Sequence, residues 1–249
     1  MDVSVLTALY QPEREHLLEA LESLRAQEGA TWEWVLQVDG DDEALERWVP
    51  AELRADERVR SAATGRHCGT GPTRNVGLVR TRSELVQSLD QDDLLAPGAL
   101  AAGVEALRAD GELAFCFGEA LHLLPDGSLE ERLPQKRVLT PGRIEPGVIE
   151  ERWARGTRPH GMVVPAAMWR KRYLLAYGGW ASLPAFEDFA VYFPVAQRHP
   201  VAYIEQVTLH HRFHEGQESA TPDRDALAEV SRPFIFARLD AMREVFGDN

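Results

Sequence analysis

The chain has 249 residues, 44% hydrophobic and 27% charged, with a formal net charge of −13. That length suits one large α/β domain, and the acidic balance argues against nucleic-acid partners and against binding to anionic membranes. Cys68 and Cys116 form no C-x-x-C pair, no apolar run nears the roughly 18 residues of a membrane span, and "MDVSVLTALYQPE" lacks the basic start of a signal peptide, so a cytoplasmic protein with reduced thiols is expected.

"VSVLTALY" (3–10) reads as a buried first strand that stops at Gln11-Pro12. "EREHLLEALESLRAQ" then places Leu17, Leu18, Leu21 and Leu24 at helical spacing, and "WEWVLQVD" (32–39) reads as a second strand. Strand, helix and strand within about 40 residues form a βαβ unit with parallel pairing. A short strand over Arg58–Ala63 and a helix from about Pro72 to Thr81 follow. Next come the strand "ELVQSLD" and a helix opened by Pro97, which together place the first 110 residues in the doubly wound α/β class. Ligands in such sheets sit outside the carboxyl ends of the strands, where Asp39 and Asp90 both fall. The second half is mixed. "LAFCFGEALHLL" with "DGSLEER" suggests a hairpin, "PVAYIEQVTLHHRFH" a strand, and Asp225–Val245 a helix that Pro233 should kink or interrupt. One continuous domain over 1–249 is expected.

Five stretches offer chemistry, and each has an ordinary structural explanation beside the functional one. Asp90-Gln91-Asp92-Asp93 supplies hard oxygen ligands of the kind Mg²⁺ or Mn²⁺ shares with substrate phosphates, although an acidic turn would look the same. Asp39, Asp41 and Asp42 in "VDGDDE" could accept hydrogen bonds from a base or ribose, or simply form a surface turn. "GTGPTRNVG" fails the G-x-G-x-x-G pattern at Arg74, yet puts Arg74 and Asn75 near a helix start that could meet a phosphate or base. Glu187-Asp188 precedes an apolar aromatic stretch; it could supply a general base or only favour a helix N-terminus. His210, His211 and His214 fit no zinc pattern, though one imidazole could still join a divalent metal.

In order, these blocks resemble the inverting nucleotide-sugar glycosyltransferases of family 2. The blocks are "VSVLTALYQP", "WEWVLQVDGDD", "GPTRNVGL", "LVQSLDQDDLLAPGAL", "GMVVPAAMWRK", "YGGWASLPAFEDFAVYF" and "HHRFHEGQES". The resemblance implies the GT-A fold, a Rossmann-like mixed sheet with helices on both faces. It implies a nucleotide-binding half over 1–110 and an acceptor half over 111–249. Ala8 and Tyr10 would flank the base and ribose, Asp39 would bond the base, and Arg74 would lie beside the nucleotide, with Asn75, also in the donor set, supporting the loop. Asp90, Gln91 and Asp92 complete the donor set. Asp90 would contact ribose or sugar, and Asp92, with His214, would ligate a Mn²⁺ or Mg²⁺ ion bridging the two phosphates. Asp188 matches the catalytic base, Glu187 its acidic neighbour, and Trp180 a residue shaping the acceptor site; Asp93 is left to cap a helix. The "DGDD" turn leaves Asp39 and Asp41 both open as the base contact, and acceptor specificity is assigned to 125–160.

The activity expected is transfer of a hexosyl group from a UDP-sugar to the hydroxyl of a small molecule or glycan, with a homodimer left open. A sugar-phosphate nucleotidyltransferase would need a Gly-rich basic loop after the first strand, where "YQPERE" stands instead. A non-catalytic nucleotide-sugar binding protein would not need every polar position filled.

Overall fold

The computed structural model describes residues 1–131, 139–149, 151, 167–213 and 224–247. The first half alternates as the sequence predicts. Strand β1 (Val3–Leu9) leads through helix α1 (Arg14–Arg25) to β2 (Trp32–Val38). Two short helices, α2 (Asp42–Trp48) and α3 (Ala51–Arg54), precede β3 (Val59–Ala63), and α4 (Thr70–Arg80) precedes β4 (Leu85–Ser88). A two-residue β5 (Leu94–Leu95) and helix α5 (Ala99–Ala109) close this half. The second half contributes β6 (Phe115–Leu123), β7 (Leu129–Glu131), β8 (Gly142–Ile144), β9 (Ala167–Arg170), α6 (Lys171–Ala176), α7 (Phe189–Arg198), β10 (Val201–Arg212) and α8 (Arg224–Phe246).

One sheet runs through both halves in the order β3-β2-β1-β4-β9-β6-β10-β5, with β7 on β6 and β8 on β10. Strands β3, β2, β1 and β4 are parallel. β9 inserts antiparallel between β4 and β6, which makes the sheet mixed. The expected hairpin is the antiparallel β6–β7 pair. Side-chain alternation along β1 splits the core in two. Val3, Val5 and Leu9 join α1 and α5 through Leu17, Leu21, Leu100 and Val104. Leu6 joins α4, α7 and α8 through Leu78, Val191, Phe193, Ile235 and Leu239.

Pro233 does not interrupt α8, which runs for 23 residues. Pro233 is exposed, so water can take the carbonyl whose helical donor it lacks. Pro194 lies inside buried α7 and withholds the donor due to the Ala190 carbonyl. There the Arg238 guanidinium of α8 substitutes, with Nη1 donating to Ala190 O at 2.7 Å and Nη2 to Tyr177 O at 2.5 Å.

Candidate active site

The carboxyl ends of β1, β2 and β4 converge on one crevice, as parallel pairing requires. At the end of β2, Asp39 is 2% exposed and its two oxygens are already engaged. Oδ1 accepts from Cys68 N at 2.5 Å, and Oδ2 accepts from Gly69 N at 2.9 Å and from His67 Nδ1 at 2.9 Å. Asp41 caps α2 by accepting from Ala44 N at 2.9 Å. Of the two candidates in "DGDD", Asp41 lies at a helix end and Asp39 at the buried end of β2.

Ala8 is half-buried near the end of β1, and Tyr10 beyond it is 44% exposed. The Tyr10 ring meets Trp48 edge-on at 5.5 Å and His67 at 4.4 Å with the planes tilted 32°. Gln91 departs from its expected donor contact. Its Oε1 accepts from Tyr10 N at 2.9 Å and its Nε2 donates to Tyr10 O at 3.1 Å. Both ends of the amide are spent strapping the acidic turn to β1.

Helix α4 positions the central cation. Gly71 and Gly77 let it approach closely: a Cβ on Gly71 would lie 2.3 Å from Ala181 O, and one on Gly77 2.5 Å from Leu6 Cδ1. Those glycines serve packing, consistent with the failed dinucleotide pattern. Arg74, 8% exposed, then reaches two carboxylates far apart in sequence. Nη1 donates to Glu187 Oε1 at 2.8 Å and Nη2 to Asp90 Oδ1 at 2.5 Å. Asn75 supports the same loop. Its Nδ2 donates to Trp180 O at 2.8 Å and its Oδ1 accepts from Trp180 N at 2.9 Å, a loop-supporting geometry. Trp180 also departs from expectation. Its indole is 2% exposed in the core, and it reaches the crevice only through the Arg74 guanidinium 5.9 Å from its ring centre.

Asp188 caps α7, its Oδ1 accepting from Phe189 N at 2.7 Å. Phe186, two residues earlier, has φ of 60°, a left-handed backbone that costs a non-glycine residue about 1 kcal/mol or more and is common beside reactive groups. Burial and the adjacent Glu187 carboxylate push the Asp188 carboxyl up to about 7, against the opposing pull of Arg74. Asp90, Glu187 and Asp188 thus gather around one guanidinium.

Asp93 does not cap a helix. Helix α5 starts after Gly98, whose φ is 75°, with no side-chain cap. Asp93 is 1% exposed, and its Oδ1 accepts from Arg212 N at 2.9 Å. Its Oδ2 is buried with no hydrogen-bond partner among the described residues. Burial, with Asp92 and Asp90 nearby, raises its pKa well above the usual carboxylate range. Arg212 also donates from Nε to Asp92 O at 2.8 Å, so the end of β10 is tied to the D-x-D turn. His214 lies outside the described residues, as does most of the 125–160 stretch beyond Glu131.

The acidic turn is all hard oxygen, which fits Mg²⁺ or Mn²⁺. Among the described residues, however, no three His, Cys, Asp or Glu side chains converge as a metal cage. The described carboxylates of the turn would not by themselves complete a cation's shell. Sequence reading missed His67 and Arg212. One sat inside a glycine-rich loop, and the other followed histidines that drew attention to themselves. No helix among the described residues is long and apolar enough to cross a membrane.

Comparison with known proteins bears on the fold and the family. The chain is 32% identical over 158 residues to the succinoglycan biosynthesis protein ExoO of Rhizobium meliloti, covering 59% of this chain and 43% of that protein. It is 29% identical over 116 residues to the O-antigen biosynthesis protein RfbC of Myxococcus xanthus, covering 46% of this chain and 9% of that one. The structure of S. aureus TarS 1-349 in complex with UDP-GlcNAc superposes with a TM-score of 0.69 at 18% identity, covering 94% of this chain and 65% of that one. The chain thus spans less than two thirds of each of these proteins, and the likeness to TarS establishes a GT-A fold. A model of the family described as Glycosyl transferase family 2 matches residues 4–173, and the chain belongs to that family.

Proposed function

We propose that the protein is an inverting glycosyltransferase that moves a sugar from a UDP-sugar to a hydroxyl of a saccharide acceptor, with Asp188 as general base. The observation that carries this reading is the Arg74 bridge. It joins Asp90 of the D-x-D turn to Glu187, beside an Asp188 whose carboxyl is raised to about 7. A base is most effective when its pKa lies near the working pH. Asp188 takes the proton of the acceptor hydroxyl as that oxygen bonds to the anomeric carbon. The carbon–oxygen bond to the diphosphate breaks on the opposite face, and its electron pair leaves with the nucleotide.

Asp39 and Tyr10 bind the base, and Ala8 lies beside the ribose. Arg74 orders the acidic groups, and Asp90 faces the donor's sugars. Asp92 and His214 would hold a Mn²⁺ or Mg²⁺ ion, which supplies Lewis-acid stabilisation of the leaving diphosphate. The names of the relatives, for succinoglycan and O-antigen biosynthesis, and the UDP-GlcNAc bound to TarS support a UDP-sugar and a saccharide acceptor. The test is UDP release from a panel of UDP-sugars with Mn²⁺ and oligosaccharide acceptors, with the product anomer read by NMR. Wild-type transfer with inversion is expected, and Asp188→Asn should abolish it while retaining UDP binding. Near-normal turnover by Asp188→Asn would remove Asp188 as the base, and a retained anomer would refute the mechanism.

A further inference from the structure

We infer that His67 occupies the nucleobase position of the donor site as an internal stand-in for the base, and that a base enters by displacing it. The inference rests on the nucleotide-site reading above and deepens it.

A base bound beside Tyr10 and Asp39 would stack its ring on the tyrosine and donate an N–H to the carboxylate. The His67 imidazole makes both contacts itself, at 4.4 Å from the Tyr10 ring and 2.9 Å from Asp39 Oδ2. With Trp48 edge-on to Tyr10, His67 is the group lying more nearly parallel to that ring. A carboxylate only accepts, so Nδ1 carries the proton that bonds Asp39, as a base N–H would.

The loop around His67 lets its side chain leave without unfolding anything. Before it, Thr64 Oγ1 donates to Val38 O at 3.0 Å and accepts from Gly40 N at 3.1 Å. After it, Cys68 N and Gly69 N both donate to Asp39. Once the imidazole rotates away, Asp39 keeps two amide donors and offers Oδ2 to a base. The His67 side chain is 61% exposed, so solvent accepts it readily on departure. A site that is competent only part of the time binds its ligand more weakly by that fraction. His67 therefore sets donor affinity by competition.

Calorimetry on the full chain with Mn²⁺ tests this, using UDP, CDP, GDP and pyrophosphate as probes. His67→Ala should bind UDP about 3- to 10-fold more tightly than wild type, with pyrophosphate affinity unchanged because that probe has no base. His67→Phe keeps a ring for Tyr10 but loses the bond to Asp39, and should fall between the two. Equal or weaker UDP binding by His67→Ala would overturn the inference and make His67 a neutral or recognising residue. An equal gain for pyrophosphate would overturn it too, because the effect would not pass through the base. If pyrophosphate binds and none of the nucleotides binds better in either protein, the nucleotide-site reading itself fails and takes this inference with it.

Discussion

Asp188→Asn should trade activity for stability, and the size of the trade follows from the raised carboxyl. In the folded chain Asp188 titrates near 7, whereas an unfolded aspartate titrates near 3.9. Between those values the folded state holds a proton that the unfolded state has lost. Stability from this group is therefore fully present at low pH, falls as pH rises through the window, and is gone above about 7. Two pH units, from 5 to 7, correspond to about 2.7 kcal/mol at 1.36 kcal/mol per unit. Asp188 keeps some access to solvent, which trims this to about 2 kcal/mol.

Asparagine does not titrate, and its Oδ1 can still accept from Phe189 N, so the cap on α7 survives. The stability difference between Asp188→Asn and wild type should thus move in the variant's favour by about 2 kcal/mol between pH 5 and pH 8. For a chain of this size that is about 4–8 °C in Tm. Urea and thermal unfolding of both ligand-free proteins at the two pH values measures it, with the histidines and other groups cancelling in the difference. A difference that stays constant with pH, or turns against the variant at pH 8, would refute the argument that burial and Glu187 hold this carboxyl protonated.

Three further outcomes are expected. Asp92→Ala should abolish the gain in UDP affinity that Mn²⁺ brings and leave metal-free UDP binding unchanged; calorimetry showing an undiminished Mn²⁺ effect would remove Asp92 as a ligand. Gly71→Ala places a Cβ 2.3 Å from Ala181 O and should cost about 1–3 kcal/mol in urea unfolding, while weakening UDP binding through the displaced Arg74. Arg238→Ala strips the carbonyls of Ala190 and Tyr177 of their donor and should cost about 1–3 kcal/mol. Adding Pro194→Ala restores a helical N–H for Ala190 O and should recover part of that loss, a coupling that two independent sites would not show.

Local patterns read true wherever chemistry and periodicity agreed. The leucines of α1 and the aspartates closing β2 and β4 stand where their spacing put them, because helix period and strand ends are local properties. The antiparallel β9 between β4 and β6 was not legible, since it pairs with segments about 50 to 80 residues away and its four residues carry no distinctive pattern. The same limit governed the site. Arg74 was legible as a cation near a helix start, but its bond to Glu187 spans 113 positions and exists only after folding. Gln91 and Trp180 carry the right chemistry for ligand contact, and the fold engages the first with backbone and buries the second in the core. A polar side chain in a motif declares what it can bond, and tertiary packing decides what it does bond.

The acidic turn follows the same logic. Asp90, Asp92, Asp93, Glu187 and Asp188 gather in one region, and like charges so placed must be neutralised, protonated or solvated. Arg74 neutralises Asp90 and Glu187 together. Asp93 is buried and pushed toward its neutral form, and Asp188 titrates near 7. Asp92 lies at the partly exposed edge, its backbone held by Arg212. Arg74 is thus committed to carboxylates. A nucleoside diphosphate would bring further negative charge to this edge. The divalent ion of the proposed mechanism would offset that added charge.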